Sequence, residues 1–229
     1  MVGSDLICAI VERIEGVFGV PEPRAQSACL DTLIGCILSQ HTSDTNSGRA
    51  YANLRAAFPT WTEAADADAD AIEAAIRCGG LARTKANTIL RALHAVRNAE
   101  GVPDLEHLRS MSDDEARHRL LRLPGVGPKT AAIVLCFAMG RPVLPVDTHV
   151  FRVSWRLGLI DKRLGEARAH EALGAIVPSD LVYRYHVGLI RLGRGLCRAV
   201  KPACAQCSIR QWCAWYKRNR MTEVRAAEP

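Results

Sequence analysis

Apolar residues recur at helical spacing along most of this chain, and no stretch alternates apolar and polar positions over the length of a strand. Leu6, Ile10, Ile14, Val17 and Phe18 lay one apolar face on a helix over 5–18, which the Pro21-Glu22-Pro23 step ends. An apolar helix is expected over 28–38, followed by a polar stretch from Ser39 to Asn46. Amphipathic helices are expected over 48–58, 70–77 and 85–97, with the short Ala-Asp run at 65–70 as a helix approach. Ser112-Asp113-Asp114-Glu115 has the form of a capping box, in which the Ser hydroxyl accepts from the Glu amide and the Glu carboxylate reaches back. The helix it starts carries Ala116, Leu120 and Leu121. Leu123-Pro-Gly-Val-Gly-Pro128 then forces a turn, and Pro128 stands at the first position of a further helix that runs on from Lys129. The pattern predicts an all-α fold containing a helix, a tight glycine hairpin and a second helix.

Composition agrees. A hydrophobic content of 48% supports a core, and only 5% aromatic residues, with Ala and Leu abundant, favours helix over strand. The net charge of +6 suits a polyanionic partner, and its distribution is more telling. Residues 61–75 carry Glu63, Asp66, Asp68, Asp70 and Glu73 and no base. Residues 181–225 carry ten bases, among them Arg184, Arg191, Arg194, Arg198 and Lys201, against Glu223 alone. That end is either an electrostatic footprint for a polyanion or a solvated basic tail. Charges at Asp5, Glu12, Arg13 and Glu15 interrupt any leader-like apolar run, and no stretch approaches the ~20 apolar residues of a membrane span. A cytoplasmic protein is expected, nucleoid-associated in a bacterium. There nine cysteines do not make a disulfide framework. Cys8, Cys29, Cys36, Cys78 and Cys136 lie singly in apolar helical patterns and read as small core residues.

The hairpin has two readings. Gly125 and Gly127 let the backbone approach a phosphate closely, and the amides opening the second helix favour an anion; equally, Pro and Gly serve in ordinary helix–helix turns. Lys129 weights the choice. A lysine in a helix's first turn opposes the dipole, so it either meets a phosphate or is destabilised as an ammonium in favour of the nucleophilic amine. Asp147, preceded by Pro145-Val146 and followed by an apolar helix, reads on its own as an N-cap. Cys197, Cys204, Cys207 and Cys213 show the spacing C-x6-C-x2-C-x5-C, which implies a metal centre. The spacing alone leaves zinc and an iron–sulfur cluster open.

Leu123-Pro-Gly-Val-Gly-Pro-Lys-Thr-Ala131 followed by Val146-Asp-Thr-His-Val-Phe-Arg-Val153 resembles the core of endonuclease III-like DNA glycosylases, a family of the helix-hairpin-helix superfamily. The resemblance extends from about 10 to 215. It implies two helical lobes, 23–141 with the hairpin and 1–22 plus 142–215 with the cysteines, a basic tail at 216–229, and DNA in the cleft between the lobes. It implies that Lys129 attacks the sugar and Asp147 assists, and that the four cysteines hold a [4Fe–4S] cluster. The loop they would cross-link carries Arg198 and Lys201 toward the DNA backbone; relatives often place a further base where Ala203 stands. Two loops of the family fill the gap left by an everted nucleotide. They correspond here to 38–44, with Gln40 and His41, and 79–85, with Leu81. Many relatives have Gln or Asn where His41 stands. His149 and Arg152 are expected to be structural or phosphate-positioning.

The implied activity is that of a bifunctional glycosylase and AP lyase. It acts as a monomer on duplex DNA with a damaged base or an abasic site, takes oxidised pyrimidines and nicks by β-elimination through a lysine Schiff base. A same-fold enzyme for pyrimidine dimers or mismatched pyrimidines shares every motif. A weakly active DNA-binding relative would tolerate loss of Lys129. The adenine-specific branch, which lacks the lysine, is disfavoured.

Overall fold

The computed structural model describes residues 3–22 and 26–219; Pro23 and the basic tail from Arg220 onward lie outside them. The described residues are helical, with no strand among them. The chain divides into two units, Ala25–Arg141 and Met1–Arg24 with Pro142–Pro229.

The central unit is built around α2 (Cys29–Ser39). Leu30, Leu33, Ile34, Ile37 and Leu38 are all buried on it. A short helix so apolar must be covered on most sides, and α3 (Asp44–Ala57), α6 (Ala82–Glu100) and α8 (Pro128–Ile133) pack on it. Each large aliphatic side chain taken fully from water contributes about 1.5–3 kcal/mol. Two further helices, α4 (Trp61–Asp66) and α5 (Ala69–Ile76), pack on α6. The last α-helices of this unit in chain order are the pair α7 (Asp113–Leu121) and α8.

Helix starts follow side-chain chemistry. The Ser112–Glu115 capping box forms as the sequence predicts, and a second one, Thr60–Glu63, starts α4 inside the acidic stretch, where no helix was expected. Ser43 caps α3 by accepting from the Asn46 amide, so that helix begins at Asp44, not at 48, and part of the polar stretch is helical. Likewise α6 begins at Ala82, three residues before the apolar pattern suggests. The helix after the hairpin does not stay regular: Val134–Ala138 forms a π-helical turn directly after α8.

The other unit consists of α1 (Gly3–Phe18), α9 (Thr148–Leu157), α10 (Gly165–Gly174) and α11 (Val182–Gly195). Helix α11 packs on both α1 and α9. Glu15 and Arg184 pair between α1 and α11, and the fully buried Tyr185 meets Ser154 of α9 at 2.9 Å through its hydroxyl. Of the five cysteines read as core, Cys29 and Cys136 are buried, while Cys8, Cys36 and Cys78 are half-buried. No helix among the described residues is long and apolar enough to cross a membrane.

Candidate active site and four-cysteine loop

Pro124 and Gly125 occupy the centre of a turn closed by the Val126 amide on the Leu123 carbonyl (3.2 Å), with Gly125 at φ 78. That conformation suits glycine, and a Cβ there would stand 2.4 Å from the Thr88 methyl. Gly127 is different. It has an ordinary φ of −103, and a Cβ on it would meet nothing within 4 Å. The turn does not require its bare backbone, which leaves room for a ligand above the start of α8. No side chain caps that helix, and Pro128 at its first position has no N–H, so the first donors it offers are the Lys129 and Thr130 amides.

Lys129 stands exposed in this first turn. Burial pushes the half-exposed Cys36 thiol of α2 up to about 11, and the charge of Lys129 offsets part of that rise. The lysine amine is thus within electrostatic reach of the central helix while open to solvent.

In the other unit Asp147 caps α9: its Oδ1 accepts from the Val150 amide at 2.7 Å. The side chain is half-buried, and no hydrogen bond among the described residues engages Oδ2. Capping and chemistry are therefore compatible, one oxygen for each. The approach to Asp147 is anchored by His186 Nδ1 on the Pro145 carbonyl (2.8 Å) and His170 Nδ1 on the Leu144 carbonyl (3.1 Å). His149 and Arg152 belong to a network: Arg152 reaches His149 Nδ1 (2.9 Å), the Gly193 carbonyl (3.0 Å) and the Cys197 carbonyl (3.0 Å). Desolvation holds His149 below the ordinary histidine range, with Arg152 and Arg194 opposing its charge and Asp147 favouring it.

All four cysteines of the C-terminal spacing line one pocket, together with Arg156 and Trp215. Burial and the neighbouring sulfurs raise the Cys207 thiol, so four thiolates there need a cationic partner. Among the described residues no group of three or more His, Cys, Asp or Glu side chains is drawn tightly enough to hold a single metal ion. Arg156, which sequence reasoning missed, is buried beside this pocket. It donates to Cys197 Sγ (3.3 Å), the Arg198 carbonyl (2.8 Å) and the Ala199 carbonyl (3.0 Å), and lies 4.8 Å over the Trp215 ring. It thereby presents the 198–201 loop outward, with the Arg198 and Lys201 side chains exposed.

Three of the expected contact residues share a property that Gln40, with extended backbone, does not. His41 (φ 54), Leu81 (φ 50) and Lys201 (φ 48) are the non-glycine residues with left-handed backbone among those described. Such conformations cost about 1–3 kcal/mol each and cluster at functional sites. Leu81 is 59% exposed despite its apolar side chain, and Gln40 and His41 are exposed as well.

A hairpin followed by an exposed lysine, on an all-helical frame, defines a helix-hairpin-helix protein. The family described as HhH-GPD superfamily base excision DNA repair protein matches residues 34–179. The chain belongs to that family and is an enzyme of base-excision DNA repair. It is 35% identical to endonuclease III of Thermotoga maritima over 195 residues, covering 84% of this chain and 86% of that one. A protein of Arabidopsis thaliana named as a DNA glycosylase is 40% identical over 158 residues, 69% of this chain; the chain spans 54% of that relative's length. Among solved structures, endonuclease III in a non-covalent complex with DNA superposes with a TM-score of 0.80 at 27% identity, over 96% of this chain and all (100%) of that one.

Proposed function

We propose that the protein is a bifunctional DNA glycosylase and AP lyase that removes damaged pyrimidines, oxidised ones foremost, from duplex DNA and nicks the resulting abasic sites. The observation that carries this reading is Lys129, an exposed amine in the uncapped first turn directly after the glycine hairpin. The endonuclease III likeness over most of the chain supports it.

Phosphate oxygens bind at the bare backbone of Gly125 and Gly127, and Arg198 and Lys201 add charge-assisted contacts to the strand. Gln40, His41 and Leu81 fill the gap left by the everted nucleotide, offsetting an unstacking cost of a few kcal/mol. Neutral Lys129 attacks the anomeric carbon while the glycosidic bond breaks and the base leaves with its bonding electrons. Asp147 Oδ2 stabilises the positive charge that develops on the sugar. The amine, now bonded to the anomeric carbon, releases a proton to the ring oxygen as the carbon–ring oxygen bond breaks, which opens the sugar and leaves an iminium. The iminium makes the neighbouring C–H acidic, and loss of that proton expels the 3′ phosphate and nicks the strand. The enzyme acts as a monomer in the cytoplasm.

Cys197, Cys204, Cys207 and Cys213 hold a [4Fe–4S] cluster. Four sulfurs lining one pocket, together with the endonuclease III likeness over most of the chain, support the cluster over zinc. Arg156 supplies a buried positive charge that four thiolates and their iron would favour. When bound, the cluster fixes the loop that carries Arg198 and Lys201.

Two measurements test these roles. A panel of duplexes, each with one lesion, is expected to give strand breaks ending in an unsaturated aldehyde for oxidised pyrimidines and abasic sites. Breaks confined to pyrimidine dimers or mismatches would reassign the substrate. Asp147→Asn keeps a good N-cap, so thermal stability is expected to stay within ~0.5 kcal/mol while base release falls about a hundredfold. Unchanged base release in that variant would leave Asp147 with its capping role alone.

A further inference from the structure

Lys85 belongs to the first turn of α6, on the face that buries Ile89, Leu93 and Val96. Only 3% of it is exposed. Its ammonium donates to the Leu38 carbonyl at 2.7 Å and to the Gly79 carbonyl at 2.8 Å, and its backbone amide donates to the Leu81 carbonyl at 3.0 Å. Burial lowers its basicity, and no neighbouring acid counters that effect among the described residues. A buried cation without a carboxylate needs another source of negative potential. Here helix ends supply it. Leu38 is the penultimate residue of α2, and Gly79 closes the 3-10 turn Arg77–Gly79 after α5. Their carbonyls lie where helices leave acceptors unpaired and carry the negative end of the dipole.

The two carbonyls mark the roots of two loops. His41 follows Leu38 by three residues and Leu81 follows Gly79 by two, and both have left-handed backbones. A strained, exposed loop residue relaxes unless its surroundings hold it. One ammonium reaches both roots, while the amide of the same residue holds Leu81 directly.

We propose that Lys85 is a positioning residue that fixes His41 and Leu81 relative to each other, so that both enter the duplex together when a nucleotide leaves it. The proposal rests on the gap-filling roles given to those two residues under Proposed function. A neutral side chain of similar length fills the same volume but cannot donate to both carbonyls, so the loops lose their common anchor while the core stays packed.

An abasic site in single-stranded DNA offers no gap to fill, whereas the same site in a duplex does. Single-turnover strand nicking is therefore measured on both, with cluster content and thermal unfolding recorded for each protein. Lys85→Met is expected to lower the duplex-to-single-strand rate ratio about tenfold or more, the equivalent of one charge-assisted hydrogen bond. A ratio equal to that of the unaltered enzyme, or equal loss on both substrates, overturns the proposal. Leu81→Ala separates it from the reading beneath it. If that variant leaves the ratio unchanged, gap filling itself is refuted. If it lowers the ratio and Lys85→Met does not, only the role of Lys85 falls. Should Lys85→Met fail to unfold cooperatively, Lys85→Gln, whose side chain is one atom too short to bridge the two carbonyls, takes its place with the same criterion.

Discussion

Replacing Lys129 by glutamine is expected to lower nicking at abasic sites about a thousandfold or more, with the protein's stability unchanged. The size follows from covalent catalysis: an amide nitrogen cannot form the iminium on which β-elimination depends, and no weaker version of that step remains. Stability is spared because Lys129 is exposed, and surface substitutions away from buried networks stay within ~0.5 kcal/mol. Affinity for an abasic-site duplex should change little, since the proposed phosphate contacts come from the hairpin amides, Arg198 and Lys201. A variant that binds but does not nick places Lys129 in the chemistry. Nicking at the original rate would move the nucleophile elsewhere.

The second large effect concerns the four-cysteine loop. Cys207→Ser is expected to give a protein that has lost the yellow-brown colour of an iron–sulfur cluster and binds duplex DNA at least about tenfold more weakly. The segment around Cys207 contains only the three-residue 3-10 turns Cys204–Gln206 and Arg210–Trp212, so little regular structure holds it without a cross-link. Arg156 would still hold the Arg198 and Ala199 carbonyls, but no longer opposite a fixed set of sulfurs. If Arg198 and Lys201 lose their phosphates together, the slope of log affinity against log salt shrinks by about 1.8, close to 0.9 for each contact. Undiminished affinity and slope would confine the cluster to a role away from DNA. A colourless but metal-loaded wild-type protein would indicate zinc.

Much of this was legible in the sequence, because local chemistry set it. The Ser112 capping box and the Pro124-Gly125 turn depend on side chains a few residues apart, and both form as read. The Asp147 cap forms likewise. Other starts were harder: the Ser43 cap and the Thr60–Glu63 capping box begin helices inside polar or acidic stretches whose apolar periodicity is weak. The π-helical turn at Val134–Ala138 leaves no mark in a uniformly apolar run.

The residues sequence reasoning missed are those whose partners are distant in the chain. Arg156 meets carbonyls 42 and 43 residues away, and Lys85 one that is 47 away. A signal for Lys85 did exist. It falls in register with Ile89, Leu93 and Val96, and a lysine on the apolar face of a helix calls for a buried partner. The left-handed backbones of His41, Leu81 and Lys201 could not be read in advance, because none is glycine or asparagine.

Borohydride reduction of the enzyme on duplex DNA containing one abasic site tests the lysine chemistry most directly, since it converts a transient iminium into a stable bond. The expected result is a covalent protein–DNA adduct whose modified peptide carries the sugar on Lys129, and no adduct from Lys129→Gln. Equal trapping of both proteins, or attachment at any other residue, would contradict the mechanism.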